Sequence, residues 1–369
     1  MKINKILLLL LILPLFFACD DKSNSTKDDE NYILNLPPMK DHFAEHFLIG
    51  NIMNPGDAGS KISNKYLTHH FNVLTCENNM KPSYLAPNKG SYNFGTANNM
   101  VNAAIASGIK VVGHTLLWHS QNPSSGWMNS ANLSDMKKYI TDVVGHFKGR
   151  IYSWDVLNEV FPDGGYTSDW KTSMRKENPW FNSIGSNFVY EGFLAARKAD
   201  PNAILYYNDY NTDMASKAKM IHDMVRDVNQ KYLASSDKPA GEPVGRLLIE
   251  GIGMQEHHNT GVQPSAIRAT LNLFKPLGVK ISVTELDVLS QPWGQYSSNT
   301  AITEAGRKEQ ARLYGEYMKV YLDFSDIIER VSLWGVTDNQ SWRARGEPLL
   351  FSANGKAKPA YHSFVGALK

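Results

Sequence analysis

Short apolar runs recur along the chain and alternate with longer stretches whose apolar residues have helical spacing. The short runs lie at 47–52, 71–76, 109–113, 151–157, 203–207, 247–253, 279–284 and 330–336. The longer stretches lie at 133–147, 186–198, 212–232, 264–274 and 301–324. In the first of these, one helical face carries Met136, Ile140, Val143, Val144 and Phe147. The pattern predicts eight strands with helices between them.

Eight apolar strands joined by helices predict an α/β fold, a closed (β/α)8 TIM barrel. Parallel strands need helical crossovers, and eight such units commonly close into a barrel in a chain of this length. An open doubly wound sheet is the alternative, but no glycine-rich phosphate loop follows any of the strands. We therefore expect a single catalytic domain at residues 41–369.

Two of the predicted strands end in a glutamate. The run 151–157 is followed by Asn158 and Glu159, and the run from 279 leads to Glu285. Because the carboxyl ends of barrel strands share one face, both glutamates are expected at the same mouth. Two such carboxylates can act as acid/base and nucleophile on a glycosidic bond. A structural, salt-bridged carboxylate is the alternative for either one.

Polar and aromatic residues also follow the other predicted strands. They are Glu77, Asn78, Lys81, His114, Trp118, Gln121, Asn208, Tyr210, Gln255, His257, Asp287, Trp334 and Trp342. Aromatic rings cover the apolar faces of sugars, while amides, lysine and histidine bind their hydroxyl groups. This combination favours a sugar-binding cleft.

Seven segments, in order, resemble glycoside hydrolase family 10, the endo-1,4-β-xylanases. The segments are 77–81, 113–119, 154–159, 208–211, 253–257, 284–287 and 334–342. The resemblance runs from about residue 41 to the last residue. It implies a retaining endo-hydrolase of β-1,4-xylosidic bonds, with xylan or xylo-oligosaccharides as substrate.

The resemblance also implies roles for the matching residues. Glu159 is implied as the acid/base and Glu285 as the nucleophile, with carboxyl groups about 5–5.5 Å apart. Asn158 is implied to bind the sugar 2-hydroxyl, while His257 and Asp287 orient Glu285. The residues implied to bind sugars on the non-reducing side are Glu77, Asn78, Lys81, His114, Trp118 and Gln255, with Gln121 as a further substrate contact. Those implied to shape or roof the cleft are Asn208, Tyr210, Trp334 and Trp342.

Three features depart from the family pattern. Pro82 stands where a tryptophan is usual, near the distal non-reducing subsites. Glu256 replaces a residue that is usually small. The segment 288–300 contains Trp293 and Tyr296 and is expected to be a polar loop near the leaving-group subsites.

Charge and cysteine content narrow the range of partners. The formal net charge of the 369 residues is +2, and no basic stripe suited to nucleic acid is present. Of the two cysteines, Cys76 ends an apolar run and is expected to be a buried hydrophobic residue. No His/Cys cluster has zinc-ligand spacing. We expect a monomer without a cofactor or metal.

The first 18 residues resemble a secretory leader. Lys2 and Lys5 precede an apolar core at 6–17 that is too short to span a membrane. Phe17-Ala18-Cys19 resembles a bacterial lipobox, which implies acylation of Cys19; an ordinary signal peptide is the alternative. Residues 19–40 are rich in Ser, Asn, Asp and Lys, which predicts a flexible tether. The expected location is the outer membrane or cell surface.

Two other functions remain open at this point. One is a related retaining β-glycanase that acts on a different β-1,4-glycan, such as a glucan or mannan. The other is a surface lipoprotein that binds glycan without cleaving it. The Glu77-Asn78 and Lys81 block favours xylan, and the presence of both glutamates disfavours the non-catalytic alternative.

Overall fold

The computed structural model describes residues 29–368, which form a closed parallel barrel. Its strands are β1 (Leu48–Met53), β2 (Val73–Cys76), β3 (Lys110–Leu117), β4 (Ser153–Asn158), β5 (Ile204–Asp209), β6 (Gly251–Met254), β7 (His257–His258), β8 (Lys280–Val288) and β9 (Ile328–Leu333). Neighbours in space follow the order β6-β5-β4-β3-β2-β1-β9-β8, and a parallel pairing of β6 with β8 closes the ring. The two-residue β7 extends the sheet beside the carboxyl end of β8. The predicted barrel is therefore confirmed, and the doubly wound alternative is wrong.

Helices surround this barrel. They are α1 (Met39–His42), α2 (Lys65–His70), α3 (Pro82–Leu85), α4 (Gly95–Ala106), α5 (Leu133–His146), α6 (Pro179–Ile184), α7 (Asn187–Ala199), α8 (Ala215–Ala234), α9 (Pro264–Phe274), α10 (Trp293–Ser297), α11 (Glu304–Asp323) and α12 (Pro359–Val365). Single 3₁₀ turns lie at Pro55–Asp57, Trp127–Ser130, Lys275–Leu277, Asp338–Gln340 and Ala344–Gly346. All five predicted helical stretches form helices, and α9 has the predicted bounds.

Local sequence explains where the helices begin. The α5 helix starts with a capping box, because the Asn132 side chain accepts from Asp135 N and the Asp135 carboxylate accepts from Asn132 N. Its apolar face, with Met136, Ile140 and Val143, is buried as predicted. Pro82 and Pro264 occupy the first turns of α3 and α9, where a missing N–H costs nothing.

Several strand boundaries differ from the predicted ones, by up to four residues. At β6 the reason is that a side chain takes over backbone hydrogen bonds. The apolar run at 247–253 is a strand only from Gly251 onward. Before it, the Asn229 amide accepts from Leu248 N and Ile249 N and donates to Ile249 O, in place of a sheet partner. The β3 strand continues to Leu117, four residues past its predicted end at 113, which carries His114 inside the barrel wall.

The segment 29–40 packs against the barrel, whereas a flexible tether was predicted to run to residue 40. Ile33 and Met39 are fully buried, Ile33 N donates to Gly355 O, and Tyr32 pairs with Lys356. These apolar residues can only be sheltered by joining the core, so the folded domain includes this segment. The predicted leader, Cys19 and the first part of the tether lie outside the described residues.

Three further observations concern residues 29–368. Cys76 is fully buried as expected, and burial raises the pKa of its thiol to about 12. Over the same range, no helix is long and apolar enough to cross a bilayer. Nor does this range hold a group of three or more His, Cys, Asp or Glu side chains arranged to bind a metal ion.

Candidate active site

The carboxyl ends of the strands bring both central glutamates to one mouth of the barrel. Glu285 lies within β8 and Glu159 follows β4 by one residue. In the barrel order these strands are separated by β5 and β6 on one side, so the two side chains approach from different walls. The strand-end residues predicted from the sequence surround them.

Glu285 is held by side chains from two other strands, β5 and β7. Asn208 Nδ2 donates to its Oε1 at 2.9 Å, and His257 Nε2 lies 3.0 Å from its Oε2. Burial acts to raise the pKa of Glu285, but the hydrogen bond from His257, the charges of His114 and His257 and the bond from Asn208 together bring that pKa below its ordinary value. Both oxygens of the Glu285 carboxyl group therefore have a hydrogen-bonding partner.

Glu159 differs from Glu285 in its backbone conformation and in its hydrogen-bonding partners. Its φ of 55° lies in the left-handed region, which non-glycine residues adopt only when neighbouring contacts hold them there. The Trp118 ring donates from Nε1 to Oε2 at 2.9 Å, and Gln255 Nε2 donates to Oε1 at 2.9 Å. The backbone is fixed as well, since Glu159 N donates to Asn208 O at 2.9 Å.

A chain of side-chain amides connects the two carboxylates. Asn208 Nδ2, which bonds to Glu285, also lies 3.0 Å from Asn158 Oδ1. The same Asn158 oxygen accepts from Gln255 at 3.3 Å, and Gln255 in turn donates to Glu159. Asn208 can occupy this position because residue 253 is glycine; a Cβ there would lie 2.3 Å from Asn208 Oδ1. The relative placement of the two glutamates is thus set by buried amides.

His257 bridges Glu285 and Asp287. Its Nδ1 lies 3.1 Å from Asp287 Oδ2, opposite the Nε2 that faces Glu285. Burial lowers the pKa of the His257 ring, and the bond to Glu285 acts in the opposite direction. Asp287 is itself fully buried and is held by the Trp342 indole N–H at 3.0 Å and by Arg343. This arrangement fixes the orientation of the ring against Glu285.

Of the residues implied to bind sugar on the non-reducing side, Asn78, Lys81 and Trp118 lie together and form one wall of the mouth. Lys81 Nζ donates to Asn78 Oδ1 at 3.0 Å and lies 5.3 Å from the centre of the Trp118 ring. Burial lowers the pKa of Lys81, while the charges of Glu285, Glu77 and Glu159 act to raise it. The exposed Gln121 approaches the same Asn78 oxygen at 3.4 Å. The Lys81 ammonium group is therefore close enough to Glu285, Glu77 and Glu159 to interact with their charges.

His114 is almost fully buried, beside the wall that contains Trp118. Its Nδ1 lies 2.9 Å from Asp155 Oδ2, and both residues are almost fully buried. Its ring meets Trp334 at 5.7 Å and Trp118 at 6.4 Å between centroids. Asp155 was not among the predicted site residues, because it points inward from the middle of β4 and has no strand-end signature.

Two further residues near Glu159 were missed by the sequence reasoning. Arg175 donates to Glu159 O at 3.2 Å and to the Tyr210 hydroxyl at 2.8 Å, which connects the predicted cleft residue Tyr210 to the Glu159 backbone. His119 Nδ1 lies 3.8 Å from Glu159 Oε2, and burial together with the charges of Arg175 and Lys217 lowers the pKa of its ring to about 4. Arg175 belongs to the irregular segment 159–178, where neither periodicity nor a strand end indicates it.

The two predicted roof tryptophans have different exposures. Trp334 is 7% exposed and packs against His114 and His257, whereas Trp342 is 61% exposed. The segment after β8, expected to be a polar loop, contains the short helix α10, on which Trp293 is exposed and lies 5.6 Å from Tyr296 between ring centroids. Arg345 packs over Tyr296 and donates to its carbonyl.

Comparison with known proteins identifies the family. The family model for glycosyl hydrolase family 10 matches residues 38–367. A β-1,4-xylanase of Dictyoglomus thermophilum is 32% identical over 98% of this chain and 97% of its own length. An endo-1,4-β-xylanase of Geobacillus stearothermophilus is 33% identical over 90% of this chain and 98% of its own. A solved GH10 xylanase with a bacterial Ig-like domain, from termite gut, matches with a TM-score of 0.87 at 56% identity, over 91% of this chain and 78% of that one. The chain therefore belongs to glycosyl hydrolase family 10.

Proposed function

We propose that the protein is a retaining endo-1,4-β-xylanase in which Glu285 is the nucleophile and Glu159 the acid/base. The observation that carries this proposal is the pair of carboxylates connected through the amides of Asn208, Asn158 and Gln255. Each carboxylate has its own set of hydrogen-bond donors, so the two glutamates have the different environments that two different roles require. We expect carboxyl groups about 5–5.5 Å apart, the separation of retaining enzymes.

In the first step a carboxylate oxygen of Glu285 attacks the anomeric carbon of the sugar. The bond from that carbon to the glycosidic oxygen breaks, and Glu159 gives its proton to the departing oxygen, which leaves as a hydroxyl group. The lowered pKa of Glu285, held down by His257 and Asn208 against the effect of burial, keeps the nucleophile ionised. The product is a glycosyl ester of Glu285 with inverted configuration.

In the second step water hydrolyses this ester. Glu159, now ionised, removes a proton from a water molecule as its oxygen attacks the anomeric carbon, and Glu285 leaves as a carboxylate. Two inversions restore the original configuration. The donors Trp118 and Gln255 contact both oxygens of Glu159 and hold the carboxyl group in place for this step.

The proposed substrate is xylan or xylo-oligosaccharides, bound by a monomer. The names of the relatives support xylan, and so does the wall formed by Asn78, Lys81 and Trp118 at the mouth. Hydrolysis rates on xylan, carboxymethyl cellulose and mannan test the choice of polysaccharide. Rapid release of reducing ends from xylan alone is expected, whereas faster cleavage of a glucan or mannan would identify another β-glycanase. Binding to xylan without cleavage would support the non-catalytic alternative.

The stereochemical outcome tests the mechanism independently of the substrate. Proton NMR of the first product formed from an aryl β-xylobioside should show the β-anomer, which later mutarotates. Initial formation of the α-anomer would mean that a water molecule lies between the carboxylates and that the mechanism is inverting.

We propose that the protein is exported and anchored by a lipid on Cys19 at the outer membrane or cell surface. The motif Phe17-Ala18-Cys19 after an apolar run supports this, and acidic residues follow it at Asp20 and Asp21. Cys19→Ser should abolish incorporation of a radiolabelled fatty acid and release the protein or leave it unprocessed. Unchanged labelling of the variant would contradict the anchor, and protease treatment of intact cells tests whether the domain faces outward.

A further inference from the structure

The turn at Gln255-Glu256-His257, between β6 and β7, contacts both proposed catalytic carboxylates. Gln255 Nε2 donates to Glu159 Oε1 at 2.9 Å, and His257 Nε2 lies 3.0 Å from Glu285 Oε2. The main chain of the turn is anchored on both sides, by Gln255 N to Asp209 O and by Glu285 N to Gln255 O. A shift of this turn would therefore move one partner of each glutamate.

Glu256, the middle residue of the turn, points away from the mouth into a buried polar cluster. Its Oε2 accepts from Tyr321 at 2.8 Å and lies 2.7 Å from His258 Nε2, while its Oε1 accepts from Thr212 at 3.1 Å. These partners come from α11, from β7 and from the connection between β5 and α8. Glu256 is 1% exposed, and all three partners are equally inaccessible. One carboxylate thus ties three separate elements to the turn.

The backbone of Glu256 shows what these contacts hold in place. Its φ of 62° is in the left-handed region, where a glycine would be favoured and a glutamate is strained. Such a conformation persists when the surroundings determine it. It directs Glu256 outward while its neighbours on both sides face the mouth. The contacts of the Glu256 side chain with His258, Tyr321 and Thr212 hold the backbone in this conformation.

The charges around the cluster are compatible with an ionised carboxylate. Burial acts to raise the pKa of Glu256, but the charge and hydrogen bond of His258 and the bonds from Tyr321 and Thr212 bring it below its ordinary value. Asp213 lies close enough to interact with both Glu256 and His258, and burial raises its own pKa. Tyr317 packs on the His258 ring at 5.1 Å, and Arg343 donates to His258 O at 2.9 Å.

We infer that Glu256 is a positioning residue, whose buried contacts with His258, Tyr321 and Thr212 hold the turn so that Gln255 and His257 stay on Glu159 and Glu285. The inference rests on the proposed function only for the names of the two catalytic groups. In the segment 253–257, which otherwise resembles the family pattern, Glu256 replaces a residue that is usually small. The inference gives this glutamate a physical role.

Glu256→Gln and Glu256→Gly test the inference in complementary ways. Glu256→Gln keeps the volume and removes the charge, whereas Glu256→Gly relieves the backbone and removes all three contacts. We expect both to lower kcat/KM on an aryl xylobioside about tenfold or more, mainly through kcat, because misplaced catalytic partners slow chemistry more than binding. The acidic limb of the pH profile should move to higher pH, since Glu285 loses part of its hold from His257.

Glu329→Gln is the matched control. Glu329 accepts from Tyr206 at 2.6 Å and Tyr152 at 2.8 Å and pairs with Lys280, but it lies on β9 at the opposite end of the barrel. Its loss should lower the thermal midpoint as Glu256→Gln does, without moving kcat or the pH limbs. If the Glu256 variants behaved like this control, or if Glu256→Gly had wild-type kinetics, the positioning role would be wrong.

NMR titration of the His257 ring separates this inference from the proposed function. In wild type the midpoint reports the contact with Glu285 and Asp287, and Glu256→Gln should shift it while Glu329→Gln leaves it unchanged. This readout needs no substrate. If the protein failed to cleave xylan, the proposed function would be wrong, but the titration of His257 would still test whether Glu256 positions the turn. An unshifted midpoint in Glu256→Gln would overturn the inference.

Discussion

Glu285 and Glu159 lie at the same barrel mouth but in different surroundings. The Glu285 side chain is 6% exposed, within a regular strand, and its oxygens face Asn208 and His257. The Glu159 side chain is 14% exposed, one residue past its strand and in a left-handed conformation, and its oxygens face Trp118 and Gln255. The first environment lowers the pKa of its carboxyl group. The second leaves the Glu159 side chain somewhat nearer to solvent.

This contrast fits the two roles that we propose for the same type of side chain. A nucleophile must stay ionised, which the donors around Glu285 achieve despite burial. The proposed acid/base must change charge twice in each cycle, and Glu159 is the more accessible of the two glutamates. The proposed roles can be tested by substituting either glutamate, and the two substitutions should have different kinetic effects.

The largest effect is expected at Glu285, the proposed nucleophile. Glu285→Ala should lower kcat on every substrate by about 10⁵-fold or more, because no covalent step remains. Measurement with both xylan and an aryl xylobioside carrying a good leaving group checks this, with circular dichroism as a control for folding. Substantial residual activity on the activated substrate would place the nucleophile elsewhere.

A smaller and substrate-dependent effect is expected at the acid/base. Glu159→Ala should slow xylan hydrolysis by about 10²- to 10⁴-fold, the usual contribution of general acid catalysis. The first step on an aryl xylobioside with a good leaving group should be spared, since that leaving group needs no proton. The glycosyl-enzyme should then accumulate, and azide should restore turnover with a β-glycosyl azide as product. Equal losses on both substrates, or an α-azide, would contradict this role.

Removal of the ring beside Glu285 should shift the pH dependence. The pKa of Glu285 is held down by His257, and activity requires the ionised form, so activity falls as pH drops through that pKa. His257→Ala removes the strongest donor, and the acidic limb of kcat/KM should move to higher pH, with a loss of about 10- to 100-fold at the optimum. If the acidic limb did not move, Asn208 and the other groups around Glu285 would be enough to keep its pKa low without His257.

The smallest effect is expected at the roof. Trp342 is mostly exposed, so Trp342→Ala should raise KM for xylan about five- to tenfold through lost ring contact, with a smaller change in stability. Trp334→Ala should also weaken binding and slow cleavage, but it removes a buried ring that packs on His114 and His257, so a drop in the thermal midpoint should accompany it. Wild-type kinetics in both variants would contradict the roof assignment.

The strand-end pattern predicted most of what stands at the mouth, because side-chain direction in a parallel barrel follows from strand position. Glu159, Glu285, Asn208 and His257 could be placed in this way before the fold was known. Arg175 and Asp155 could not, since one lies in an irregular segment and the other in the middle of β4. Their roles come from contacts with residues distant in sequence, which leave no local pattern.

The sequence by itself determined the alternation of strands and helices, the barrel, and the residues at its carboxyl ends. These follow from local periodicity and from the rule that parallel strands need helical crossovers. Only the tertiary structure decided which donor meets which carboxylate oxygen, that 29–40 joins the core, and that Glu256 faces away from the mouth. The reason is physical: hydrogen-bond partners and burial depend on the packing of elements far apart in the chain, and a left-handed residue such as Glu256 reverses the direction that a strand pattern would assign to its side chain.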